Sequence, residues 1–222
     1  MNIEPVAYFS SPLTDKFGIP RQSGLVPELK GRILLTDKYR KEESIRGLDG
    51  FSHLWLIWGF DRNDRTRDSL TVRPPRLGGN ERVGVFASRS PFRPNGLGLS
   101  SVKIDSVEFS EGIIHVSGAD LADNTPIYDI KPYIRYTDCH EDAVCGFVDG
   151  NSWNQLEVEI PEKVALSFNF SEEELDALKG LLSQDPRPRY QDDPDKIYGL
   201  TFAGRNIRFR VISNRLTVLD QA

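Results

Sequence analysis

Cysteine is scarce in this chain: its 222 residues include only two, Cys139 and Cys145. That excludes a disulfide-stapled fold and makes a reducing, cytoplasmic setting the expectation. Cys139, His140 and Cys145 lack a second ligand pair at zinc-site spacing, so no metal is expected. No long apolar run is present. The most apolar segment, Phe51 to Phe60, is too short to cross a bilayer and contains His53, so no membrane association is expected. The start, MNIEPVAYF, has neither the basic residues nor the apolar stretch of a secretory leader. Several catalytic signatures are missing too. There is no G-x-G-x-x-G opening a helix, no phosphate loop ending in Lys-Ser/Thr and no serine-hydrolase elbow. Nor is there an (Asn/Asp)-Pro-Pro-aromatic segment of the kind found in doubly wound adenine methyltransferases.

The net charge of −5 gives no general basic excess, yet the charges are unevenly placed. Arg62 to Lys103 holds eight arginines and one lysine against Asp64, Asp68 and Glu81. Asp138 to Asp185 holds twelve acids against Lys163 and Lys179. A basic middle is a footprint for a polyanion, although a solvated surface gives the same pattern.

The first 140 residues read as strands: 3–9, 32–35, 51–60, 83–87, 102–109 and 113–117, the last two joined through Glu111-Gly112. Only 41–46 has helical character there. Many strands without alternating helices predict a barrel or sandwich. His53, set in an apolar strand, reads as a core histidine. After residue 140 the pattern changes. Ser171-Glu172-Glu173-Glu174 is a capping box, and Leu175, Leu178, Leu181 and Leu182 form the stripe of a helix ended by Asp185-Pro186. Strands follow at 198–203, 206–212 and 215–219. The expected organisation is a domain over 1–140, a variable connection over 141–165 and a small α+β domain over 166–222.

Chemistry-bearing residues gather in the connections. Pro20-Arg21-Gln22 offers a rigid turn, a planar cation and an amide. Arg73-Pro74-Pro75-Arg76 places two arginines about a stiff pair, before Gly78-Gly79. Arg89 to Gly98 adds Arg93 and Phe92, suited to phosphate and base contacts. Asp123-Asn124-Thr125 is a turn whose acceptors and backbone amides could hold a purine edge or ribose hydroxyls. Asp129 and Lys131 could simply pair. Arg187-Pro188-Arg189-Tyr190 is stiff, basic and aromatic, an RNA contact or a linker.

Taken together, PRQSGLVP, RGLDGFSHLWLIWGF, TVRPPRLGGNERVGVFASRSPFRPN, GLS, DNTPIYDIKPYI and QDPRPRYQDD resemble the TrmO/TsaA family over most of the chain. The resemblance implies a mainly β fold: a single-sheeted β-barrel that binds S-adenosylmethionine, with a small C-terminal α+β domain. It implies a homodimer with cofactor sites near the subunit interface. It also implies a substrate, tRNA carrying threonylcarbamoyl on N6 of adenosine 37 (typically threonine tRNA), which receives an N6 methyl. Carried over by position, the cofactor contacts fall on Pro20, Arg21, Gln22, Asp61, Arg62, Arg89, Leu99 and Asp123, Asn124, Thr125 and Pro126. The family often has His where Asp61 stands and Pro-Ile where Gly96-Leu97 stands. A base for the N6 proton is expected among Asp129, Tyr133 and Asp61. Arg73, Arg76 and Arg93 are expected to hold the threonyl carboxylate or tRNA, with Arg187 and Arg189 as further RNA contacts. Two other readings fit the basic loops: a non-catalytic RNA-binding module, and a methyltransferase acting on a small molecule or protein.

Overall fold

The computed structural model of the chain describes residues 2–63, 70–74, 81–150, 154–187 and 193–220. β1 (Ala7–Ser10), β2 (Lys30–Leu35), the helical turn α1 (Glu42–Ile45) and β3 (His53–Gly59) come first. A two-residue ribbon of β4 (Thr71–Val72) and β5 (Val83–Gly84) precedes the long β6 (Leu97–Glu108), then β7 (Ile113–Ser117) and β8 (Pro126–Pro132). Six strands close into a barrel in the order β1-β2-β7-β6-β3-β8, every pair antiparallel. Closure leaves no unpaired edge. Alternation along the strands sends Leu54, Leu56 and Trp58 inward to meet Val102, Ile114, Val116, Ile33 and Ile127. His53 is thereby turned outward, against the expectation of a core histidine. Its Nδ1 lies 2.9 Å from Ser52 Oγ, and its ring is tilted beside Tyr133.

Several strands are shorter than the apolar pattern predicts, β1, β3 and β5 by the most. Pro5 lacks an amide and restricts Glu4, so β1 begins only at Ala7. Val83–Gly84 pairs with Thr71–Val72, and the rest of the expected strand tightens into a 3-10 turn over Val85–Ala87. By contrast, the segment after Asn124, expected as part of a binding turn, runs on as β8.

The C-terminal part begins with the turn α2 (Arg135–Asp138). It continues through β9 (Glu157–Glu159), α3 (Glu162–Phe168), α4 (Glu172–Ser183), β10 (Tyr198–Phe202), β11 (Arg205–Ile212) and β12 (Arg215–Val218). The sheet order is β10-β11-β12-β9, with β9 parallel to β12. β9 and the start of α3 fall within the segment 141–165 expected to be a connection. Ala203 and Gly204 link β10 to β11 with φ of 46° and 75°, the left-handed pair that a two-residue hairpin turn needs. Ser171 caps α4 as anticipated: its side chain accepts from the Glu174 amide, and Glu174 reaches back to the Ser171 amide. Ser171→Ala is expected to lower stability by about 1 kcal/mol, read from denaturant midpoints at unchanged slope.

The small domain's core is not made of its own residues alone. Leu13, Val26 and Leu29, from the β1–β2 connection, are buried in one cluster with Leu178, Leu181, Leu200, Phe202, Phe209 and Leu216. Phe17 and Ile19 pack against that cluster, and the Ala203 amide donates to the Pro12 carbonyl at 3.0 Å. The connection that carries Pro20-Arg21-Gln22 is therefore anchored at both ends in the C-terminal domain.

Candidate active site

In a closed antiparallel barrel, successive connections alternate between the two ends. The strand order puts three on one mouth: β1–β2 (11–29), β3–β6 (60–96) and β7–β8 (118–125). Those three hold nearly all the chemistry-bearing segments of the sequence. The β7–β8 connection must cross the mouth, because β6 and β3 lie between its strands.

Hydrogen bonds tie the three connections together. The Gly24 amide donates to the Gly118 carbonyl at 2.8 Å, and the Gly118 amide to Leu29 at 3.0 Å. Arg62 forks its guanidinium to the carbonyls of Thr14 and Asp123, joining all three connections through one side chain. Arg89 Nη1 donates to Gln22 Oε1 at 2.5 Å, while Gln22 Nε2 donates to the Arg21 carbonyl. Pro20 is buried and fixes the turn; Arg21 and Arg89 remain exposed at the rim. Asp61 is exposed beside Arg62, its amide bonded to the Gly59 carbonyl at 3.0 Å.

The 123–125 turn differs from the expectation in one respect. Its amides are used by the protein: Asp123 donates to Leu13 at 2.8 Å, Asn124 to Phe9 at 2.7 Å and Thr125 to Ala122 at 3.3 Å. Asp123 Oδ1 accepts from the Ser11 amide. Thr125 and Pro126 are buried in the wall. The exposed side chain of Asn124, in the left-handed region at φ 62°, is what the turn offers to a ligand. Leu99 sits on the outer barrel face, 58% exposed, one position from the inward Ser100.

The candidate bases separate by position. Asp129 pairs with the outward Ile57 in the β3–β8 register and forms a 2.9 Å ion pair with Lys131 on the outer wall. Tyr133 stands at the other end of the barrel, where its amide bonds to His53 and its ring leans on Trp55 at 5.5 Å. His53 and Trp58 are five residues apart, about 17 Å at ~3.4 Å per residue. Partial burial, with Cys139 and Asp138 nearby, raises the Tyr133 phenol pKa, which keeps it protonated. Asp138 is held below the ordinary range by the Ile134 amide and the Trp55 indole. Only Asp61 of the three lies at the mouth.

Sequence reasoning passed over one carboxylate. Asp120, on the crossing β7–β8 connection, accepts from Ser100 Oγ at 2.6 Å, and Ser100 in turn accepts from the buried Trp58 indole at 2.9 Å. Burial pushes the Asp120 pKa above its ordinary value, opposed by Ser100, by backbone amides including that of Ser23, and by Arg89. Asp120 begins the DLADNTP segment, but no local pattern marks it out; its partners are 20 and 62 positions away.

Of the arginines expected to meet RNA, Arg73 is exposed on the β3–β6 connection, and Arg93 is half-buried with Nη1 on the Ser88 carbonyl at 3.2 Å. Arg76 and Arg189 lie outside the described residues. Arg187 is a correction to the expected RNA contact: it is 9% exposed, and its Nε and Nη2 both bond Asp185, at 2.8 and 3.0 Å. Its guanidinium is turned inward to hold the end of α4.

A closed six-stranded barrel thus carries these loops on one mouth, with a small α+β domain bracing one of them. The family model described as the tRNA-methyltransferase O N-terminal domain matches residues 8–139, and the TrmO C-terminal domain matches 154–221. The tRNA (adenine(37)-N6)-methyltransferase of Escherichia coli K12 is 36% identical over 216 residues, covering 94% of this chain and 92% of that protein. A putative S-adenosylmethionine-dependent methyltransferase, RcsF, of Pseudomonas aeruginosa PAO1 is 38% identical over 205 residues, covering 90% and 87%. The crystal structure of TrmO from Pseudomonas aeruginosa superposes with a TM-score of 0.79 at 29% identity over 99% of this chain and 98% of that one. The chain belongs to the TrmO family.

Proposed function

We propose that this protein is an S-adenosylmethionine-dependent tRNA methyltransferase acting on N6 of adenosine 37, with the threonylcarbamoylated base as its substrate. Membership of the TrmO family over both domains carries the reading, and the convergence of its loops on one mouth supports it. The residues fit the cofactor. Arg21 and Arg89 are cations suited to an amino-acid carboxylate, and Gln22 and Asn124 are amides suited to a purine or ribose.

When bound, S-adenosylmethionine supplies a methyl group already activated on sulfur, so the protein has to align the acceptor and manage its proton. Arg62 keeps the connections in register, while Arg89 holds Gln22 toward the mouth. Arg73 and Arg93, both on the β3–β6 connection, are the cations we assign to the threonyl carboxylate. A site built around that ion pair leaves arginine unpartnered when the group is missing. Transcripts bearing plain adenosine are therefore expected to react on the order of 10³-fold or more slowly in kcat/KM than threonylcarbamoylated tRNA. Nucleoside mass spectrometry after incubation with protein and cofactor reads this directly. Absence of the N6-methylated product from threonylcarbamoylated tRNA would remove the assignment.

A homodimer fits the large apolar side chains left exposed in the β3–β6 connection and at the start of β6, Leu70, Phe86, Phe92 and Leu99. Light scattering should return twice the chain mass, and a glutamate at Phe86 should return the monomer. A cytoplasmic location is supported by two free, exposed cysteines; among the described residues no helix is long and apolar enough to cross a membrane.

A further inference from the structure

We propose that Asp120 is the catalytic base, accepting the N6 proton of the substrate nucleotide, with Ser100 and Trp58 as the positioning residues that set its orientation. The inference rests on the reaction proposed above and names the group that carries it.

The geometry favours Asp120 over the other acids at or near the site. The connection that carries it is the one that crosses the mouth. There it stands next to Ser23, the neighbour of Gln22, and within the field of Arg89. Asp129 is on the outer wall with its charge neutralised by Lys131, and Asp61 is exposed on the rim. Asp123 has one oxygen on the Ser11 amide and its carbonyl on Arg62. Asp120 is instead aligned by a relay that begins in the barrel core. The Trp58 indole can only donate, so Ser100 Oγ must accept there and point its own hydrogen at Asp120. A rotating hydroxyl becomes a fixed donor, and one carboxylate oxygen is pinned while the residue as a whole stays partly exposed. Trp58 is held in turn by Gly98: a Cβ there would stand 2.3 Å from the indole Cε2.

The step balances. As the bond from N6 to the methyl carbon forms, the carbon–sulfur bond breaks and its electron pair stays on sulfur. The N6 proton passes to the Asp120 carboxylate, giving a neutral carboxylic acid. The positive charge on sulfur and the negative charge on Asp120 disappear together, and the acid later returns its proton to water. A carboxylate that is poorly solvated gains most from being neutralised in this way.

The charged group facing Asp120 is Arg89; Ser100 and backbone amides, that of Ser23 among them, supply its hydrogen bonds. Every one of these lowers its affinity for protons, so removing the Ser100 hydroxyl must raise it. The test uses the full chain and threonylcarbamoylated tRNA. Asp120→Asn is expected to bind S-adenosylmethionine with Kd changed by no more than about threefold. Its single-turnover methylation should fall by about 10²- to 10⁴-fold. In the cofactor-free protein, carbon-detected carboxyl titration should give Asp120 a midpoint above that of an ordinary aspartate, and Ser100→Ala should move it higher. The acid limb of the Ser100→Ala rate profile should move to higher pH by the same interval. Loss of cofactor binding by a folded Asp120→Asn would make Asp120 a cofactor contact and overturn the proposal. So would near-normal methylation by that variant, or an acid limb that stays put while the carboxyl midpoint moves. If Asp120→Asn does not fold, the Ser100→Ala comparison decides alone. A wild-type protein that binds the cofactor but methylates no tRNA would defeat the proposed function instead, which is a separate result.

Discussion

Arg62→Ala is expected to weaken S-adenosylmethionine binding by about 10- to 100-fold while leaving the barrel folded. Among the described residues Arg62 is the one side chain that bridges the three connections of the mouth, through the carbonyls of Thr14 and Asp123. A hydrogen bond to a charged donor contributes about 1.5–3 kcal/mol, and each factor of ten in affinity is about 1.4 kcal/mol. Losing two such bonds therefore covers the predicted range even if part of the cost appears as lower stability. The barrel core, with Leu54, Leu56 and Ile114, has no contact to lose. Arg62→Lys should fall between, because a single ammonium lacks the planar fork that reaches two carbonyls at once. Calorimetric titration measures the effect; an unchanged Kd in the alanine variant would mean that the mouth holds its shape without the clamp.

Phe209→Ala carries the largest expected cost to stability, about 3–5 kcal/mol, since a fully buried ring leaves a cavity that its neighbours cannot close. Phe209 is stacked on Tyr198 at 5.6 Å and lies in the same cluster as Leu13, Val26 and Leu29. The variant should thus lose cofactor affinity as well as fold stability, although Phe209 belongs to neither the barrel nor the mouth. Hydrogen exchange should report the C-terminal sheet opening while β3 and β6 stay protected. Full cofactor affinity in a protein whose C-terminal sheet has opened would show that the Pro20–Gln22 turn needs no brace.

Much of this was legible from local pattern. Runs of apolar, branched and aromatic residues located β2, β3, β7 and the second half of β6, the capping box located α4, and the motif loops named most of the mouth. What local pattern could not give was direction. Whether His53 faces in or out depends on which of two alternating sets meets the core, and Leu54 and Leu56 decide that only once the barrel is closed. Asp129 and Asp120 are nine residues apart with the same chemistry, and only the strand register puts one on the outer wall and the other across the mouth. Arg187 looked like an RNA contact because Arg between prolines reads as exposed. Asp185, two residues back with a positive φ of 50°, turns its carboxylate onto the guanidinium instead. The burial of Leu13, Val26 and Leu29 against strands near residue 200 left no trace in any window of sequence.

That last arrangement has a consequence during synthesis. Leu13 leaves the ribosome long before its partners Leu200, Phe209 and Leu216, so the barrel can close while the segment bearing Arg21 and Gln22 still has nothing to rest on. Nascent chains halted before residue 198 should resist protease in the barrel yet retain no labelled methyl donor, and retention should begin only as the last hairpin emerges. Competence to methylate is in this sense timed by the emergence of β11 and β12.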